Sequence, residues 1–206
     1  MRGDREKAVR YLKLSLETNS KFFAARTLLG YLLKDRAMLK SVLEESPQDT
    51  FARFSLYLLG GEKVSDFILG RPEDVLDAAL EFKQAGLYEE AVKVLDECKK
   101  PNQLLSFHKA AITGRPAADA AMDYCFPNRL EDIPALSGRK DWRAEYLLGC
   151  LYYDRLNDKS GAEAWEKSLA LNPENPYALR NLAFAYYDHL NKKKEALPLL
   201  QKSFSL

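Results

Sequence analysis

The 206-residue chain carries 31 basic and 30 acidic side chains for a net charge of +1, which excludes the phosphate-neutralising surface that nucleic-acid affinity normally requires. Apolar residues make up 47% and charged residues 30%, the composition of one sizeable soluble domain or of an elongated array of smaller units. No apolar run approaches the roughly 18 residues that span a bilayer, and the start MRGDREKAVRYLK lacks the apolar core of a secretory signal.

In chain order, helical segments are expected at 3–17, 22–34, 37–46 and 51–60, then at 65–70, within 72–101, at 104–112 and at 117–125. Residues 65–70, 104–112 and 117–125 are placed on helices by periodicity alone. PNRLEDIPALSG, 127–138, is the least regular stretch; a short helix is expected after Pro127, with Pro134 limiting its length. From 142 the sequence begins to repeat itself. A shift of 34 residues aligns Ala144 with Ala178, Leu148 with Leu182, Tyr152-Tyr153-Asp154 with Tyr186-Tyr187-Asp188, and Leu156-Asn157 with Leu190-Asn191. That period is the length of a helix–turn–helix unit. Leu148, Tyr152 and Leu156 recur every four residues, and Gly149 leaves room beside Leu148. Ala162, Trp165 and Leu169 form the apolar stripe of a second helix that ends at Asn172-Pro173, after which Pro176 can open the next helix.

These residues resemble the tetratricopeptide repeat (TPR) family. The family's small and aromatic positions fall on Leu148, Gly149, Tyr152, Gly161, Trp165, Ser168 and Pro173 in the repeat 142–173. In 176–205 they fall on Leu179, Leu182, Ala183 and Tyr186, then on Ala196, Leu200 and Ser203 after one inserted residue. Residues 72–101 match with Ala78, Ala79, Phe82, Gly86, Ala91, Leu95 and Cys98. Departures are Glu145 at a Trp or Leu position, Gly161 in place of alanine, and Pro198 inside the last helix, where a kink or a late start is expected. The resemblance implies an all-α, right-handed superhelical solenoid of antiparallel helix pairs over 1–206. It comprises roughly six repeat-lengths, several of them degenerate, with irregular segments at 47–70 and 102–140. Residues 3–17 then become the second helix of a pair whose first is absent, and the chain closes on the apolar PLLQKSFSL. A fragment of a longer protein is expected, with self-association into a homodimer through an uncapped terminus. A finer resemblance, on CFPNRLEDIPAL and FARFSLYLL, is to the TPR region of large bacterial multidomain proteins that also carry a β-rich, sugar-enzyme-like domain of unknown function.

Catalytic chemistry finds few residues to build on. Phosphate-binding glycine loops, HExxH, GxSxG and Cys/His pairs at ligand spacing are absent. The acidic pairs Glu44-Glu45, Glu89-Glu90 and Glu131-Asp132 are adjacent in sequence, so on a helix their side chains diverge, and Glu89-Glu90 suits the first turn of a second helix. His108 reads as a core histidine, and His189 as a cation at a helix end. Cys98, Cys125 and Cys150 are widely spaced, form no CxxC, and read as packed thiols in a reducing, cytoplasmic compartment. No catalytic, cofactor-binding or metal-binding residue is expected, and the Lys192–Lys194 run reads as a solvated loop.

In a TPR superhelix the first helices line a concave groove. The resemblance puts Arg143, Tyr146, Cys150, Tyr153 and Asp154 there from one repeat, and Tyr177, Arg180, Phe184, Tyr187 and Asp188 from the next. Glu73, Leu76, Leu80, Lys83 and Gln84 take those positions in the earlier repeat, whereas Tyr152 and Tyr186 belong to the core. A grip on a C-terminal carboxylate is not expected, because Leu147 and Cys150 occupy its asparagine-type slots and only Arg180 and Asn181 fall near the rest. The function implied is a non-enzymatic scaffold holding a protein or peptide, as a helix or extended segment, with other domains of the full-length protein among its partners. The alternative is an accessory segment of a carbohydrate-processing multidomain protein whose catalytic domain lies outside this chain.

Overall fold

A computed structural model describes the backbone of residues 2–206 and side chains from residue 5 onward, so the first residue of the expected 1–206 array lies outside the described residues. The described residues form thirteen α-helices, one π-turn and no strand; a lone bridge joins Asn102 and Ala121. The chain is thus all-α, and it divides into two compact units, Met1–Pro101 and Asn102–Leu206.

The first unit contains α1 (Arg2–Thr18), α2 (Phe23–Leu33), α3 (Arg36–Glu45), α4 (Thr50–Leu58), α5 (Asp66–Leu69), α6 (Pro72–Gln84) and α7 (Tyr88–Asp96). Aspartates start two of these helices: Asp35 accepts from the Met38 amide and Asp49 from the Ala52 amide, each filling an orphan donor of a first turn. Pro72 opens α6, where its missing N–H costs nothing. SDFILG shortens to the single turn of α5. The core centres on Phe82, against which Tyr31 and Phe51 pack edge-on at 5.3 and 4.8 Å between ring centroids.

The second unit contains α8 (Gln103–Thr113), α9 (Asp132–Leu136), α10 (Trp142–Asp154), α11 (Asp158–Leu171), α12 (Pro176–Phe184), the π-turn Ala185–His189 and α13 (Lys193–Ser205). Two expectations fail here. Residues 117–125 are not helical, because α8 captures their backbone. The Gln103 side chain donates to the Ala118 carbonyl and accepts from the Ala120 amide, Ser106 Oγ donates to that same carbonyl, and Asn102 Nδ2 reaches the Tyr124 carbonyl. Those bonds satisfy the backbone groups that a helix would otherwise pair. Pro134 does not end the short helix either. It sits in the first turn of α9, where no intrahelical N–H is needed.

Helix pairs turn in one recurrent way. Lys34, Gly86 and Leu156 follow α2, α6 and α10 in the left-handed conformation, at φ of 57°, 75° and 58°. In each, that residue's amide bonds to the carbonyl three back, and the next amide to the carbonyl five back. The 34-residue echo is equally visible in a side chain: Ser168 Oγ donates to the carbonyl of Trp142, and Ser203 Oγ to that of Pro176, each at 2.8 Å. The first residues of α10 and α12 are related by a shift of 34, the two serines by 35. The π-turn absorbs the inserted residue by widening one turn of the second repeat. Helix α13 runs through Pro198, which is exposed, so the carbonyl it leaves without an intrahelical donor can face water.

Candidate interaction surface

Helices α10 and α11 close on Trp165. The indole lies over Gly149, so near that a methyl at 149 would fall 2.3 Å from its Cδ1 and Nε1, and Nε1 donates to the Tyr146 carbonyl at 3.2 Å. Tyr153 tilts against the same indole at 5.4 Å. Onto this surface pack α12 and the π-turn: Ala178, Leu182 and Ala185 share one buried cluster with Ala162 and Trp165, with Tyr146, Cys150, Tyr153 and Leu169 packed around it. Polar contacts pin the register. Asn181 Nδ2 approaches Cys150 Sγ at 3.8 Å, Tyr186 Oη donates to Glu166, and His189 lies edge-on to Tyr153, its Nδ1 3.5 Å from Asp158 Oδ2.

The groove set is therefore split by the packing. Tyr146, Cys150 and Tyr153 are half-buried beneath the following helix, and burial pushes the Cys150 thiol and the Tyr146 and Tyr153 phenols up. Arg143 is held by Asp141 and Asp119, both at 2.8 Å. On the second repeat the same positions are open: Tyr177 is exposed with Arg180 5.8 Å over its ring, Phe184 is 49% and Tyr187 53% exposed, and Asp188 is also exposed. Asp154 is exposed as well. In the first unit Leu76 and Leu80 are buried and leave the surface, contrary to their expected groove positions, while Gln84 stays exposed. Tyr186 is in the core as expected. Tyr152 is not: it is half-buried and lines a polar cleft of about 440 Å³ with Glu145, Glu163 and Lys167. In that cleft burial raises the Glu145 carboxyl.

Beside Phe184 and Tyr187 lies an apolar cleft of about 500 Å³, completed by Ala183 of α12 and by Ala196, Leu197 and Leu200 of α13, with Asp188 and Lys193 as its charged lining. The Lys193 ammonium stands 4.9 Å from the Tyr187 ring centroid, so this lysine belongs to the first turn of α13 and not to a solvated loop. Lys193, Leu197 and Leu200 were not among the residues expected at a surface site. The signal that could have found them is their helical spacing on the last second helix.

His108 and Asp132 are both fully buried, joined Nε2 to Oδ1 at 2.7 Å. Asp132 Oδ2 accepts the amides of Asn128 and Arg129. Burial opposes ionisation of Asp132, but the His108 and Arg129 hydrogen bonds outweigh it and hold the carboxyl below its usual range. The pair braces α9 against α8. Among the described residues no group of three or more His, Cys, Asp or Glu side chains could hold a metal ion, and no helix is long and apolar enough to cross a membrane.

No protein-family model and no curated protein matches the chain. Solved structures similar to it include MamA 41-end from Desulfovibrio magneticus RS-1, at 19% identity over 98% of this chain and 95% of that one, with a TM-score of 0.38. A MamA RS-1 ArsTM double mutant matches at 23% identity over 83% of this chain and 94% of that one, also with a TM-score of 0.38.

Proposed function

We propose that the chain is a non-enzymatic scaffold that holds a helix or peptide of a partner protein against α12 and the π-turn. The observation that carries this reading is the row Tyr177, Phe184 and Tyr187, three exposed aromatics on one helical run with Arg180 stacked on the first. Aromatics bury much area at low entropic cost, and aromatics with arginine are the composition of interface hot spots. Tyr146 and Tyr153, packed beneath α12, support this surface from below, Arg143 is held by Asp141 and Asp119, and Asp154 is exposed beside them. A non-catalytic role is supported by the burial of His108 and Asp132: an acid–base pair with both members at 0% exposure, and with the carboxylate's second oxygen taken by two backbone amides, cannot meet a substrate.

The test compares exposed with supporting residues. A partner recovered on the immobilised chain is expected to lose about tenfold or more in affinity with Phe184→Ala or Tyr187→Ala, at unchanged melting temperature. Tyr153→Ala is a poorer probe because it strips the ring from Trp165. Unchanged affinity in both exposed variants removes this face from the function.

A further inference from the structure

The α12–α13 pair presents the same face that α10–α11 presents one repeat earlier, and the earlier copy shows what such a face takes. Position by position, Phe184 stands for Cys150, Tyr187 for Tyr153, Leu197 for Ala162 and Leu200 for Trp165. On α10–α11 the occupant is an amphipathic helix, α12 with its π-turn, seated through Ala178, Leu182 and Ala185 and ending at His189. One substitution between the copies reverses a charge. Asp158, the first residue of α11, faces the His189 imidazole, its Oδ2 3.5 Å from Nδ1; the first residue of α13 is Lys193, already poised on the Tyr187 ring. Arg180 on α12, Lys192 at the cap of α13, and Lys194 and Lys202 on α13 add positive charge, against Asp188, which lines the same cleft, and Glu195, so the pair with its π-turn stays net basic.

We infer that this face binds an acidic amphipathic helix of another protein, seated as α12 is seated on α10–α11, with a carboxylate where α12 and its π-turn carry His189. The helix would present a small residue, a leucine four positions on, a second small residue three further, and an acid four beyond that, the spacing of Ala178, Leu182, Ala185 and His189. The inference rests on the proposed scaffold role and names its partner class. A second copy of the chain is the weaker occupant because the sequence of its helix α1 is basic, with Arg2, Arg5, Lys7, Arg10 and Lys13 against Asp4, Glu6 and Glu17, and would meet lysines.

The probe is a fluorescent peptide of residues 175–191 of this chain and its His189→Glu form, titrated with the full chain by anisotropy. The His189→Glu peptide is expected to bind about three- to fivefold tighter at low salt. Lys193→Glu in the chain should invert that order without unfolding it, since an acid suits the first turn of α13. Tyr187→Ala should abolish both. Equal binding of the two peptides whatever occupies 193, binding that survives Tyr187→Ala, or no binding at all overturns the inference. Concentration-dependent dimerisation that excludes the peptide overturns it too, in favour of a second copy. A partner that depends on Phe184 and Tyr187 while ignoring the charge reversal would leave the scaffold role standing and remove only the acidic helix.

Discussion

An alanine methyl at position 149 would lie 2.3 Å from Cδ1 and Nε1 of Trp165, closer than any relaxed contact, and the ring has nowhere to retreat because Tyr153 and the Tyr146 carbonyl hold it. On an exposed helix the Gly→Ala exchange gains about 1 kcal/mol. Here Gly149→Ala is expected to cost about 1–3 kcal/mol instead, read as a lower denaturant midpoint. Stabilisation by that variant would mean the indole is not seated on the glycine. The turn residues give the opposite sign. Leu156 is 87% exposed and adopts φ of 58°, a conformation that costs a side-chain-bearing residue about 1–2 kcal/mol and glycine little. Leu156→Gly should therefore stabilise by up to about 1 kcal/mol after the extra flexibility of the unfolded glycine is subtracted, and a lowered melting temperature would refute it. Gly149 and Gly86 were readable as small or turn residues from the repeat alone. That Lys34 and Leu156 serve as left-handed turns was not, because nothing in a lysine or a leucine announces a positive φ.

The segment between α8 and α10 shows where reading by element runs out. AADAAMDYC has the spacing of a helix face, yet its backbone is claimed by Gln103, Asn102 and Ser106 across a turn, a long-range competition that local periodicity does not register. The His108–Asp132 pair then braces the far end of this segment, with the Arg129 amide and guanidinium also acting on Asp132. A carboxyl held below its unfolded value stabilises the fold above the unfolded pKa, near 4, and loses that contribution as pH falls through the lower folded value. Unfolding followed between pH 7 and pH 2 is thus expected to show a loss below about pH 4. In Asp132→Asn part of that loss should vanish, and the neutral-pH stability should drop by about 2 kcal/mol or more, because a buried partner of His108 and two backbone amides is altered. An acid limb identical in the variant would show that Asp132 does not carry the dependence.

At the scale of the molecule, the 34-residue echo predicted the all-α build and the helix order of the last two repeats. It did not reveal that the two copies of the aromatic row have different fates. Tyr153 and Tyr187 hold equivalent positions in sequence, and only the packing of α12 onto one of them separates floor from open surface. This difference is measurable without knowing a partner. Both tryptophans, Trp142 and Trp165, lie in the Asn102–Leu206 unit, so intrinsic fluorescence follows the unfolding of that unit. A helix that binds only the folded α12–α13 face raises its stability by mass action, about 2.7 kcal/mol at a hundredfold excess over Kd. For a unit of roughly 100 residues this is an upward shift of the fluorescence midpoint by about 10 °C or more. The His189→Glu peptide should produce that shift in the wild-type chain and none in Tyr187→Ala. In Tyr153→Ala the starting midpoint should itself fall, since the ring removed is one that Trp165 packs against. A peptide-induced shift that persists in Tyr187→Ala would place the binding surface elsewhere than beside the open tyrosine.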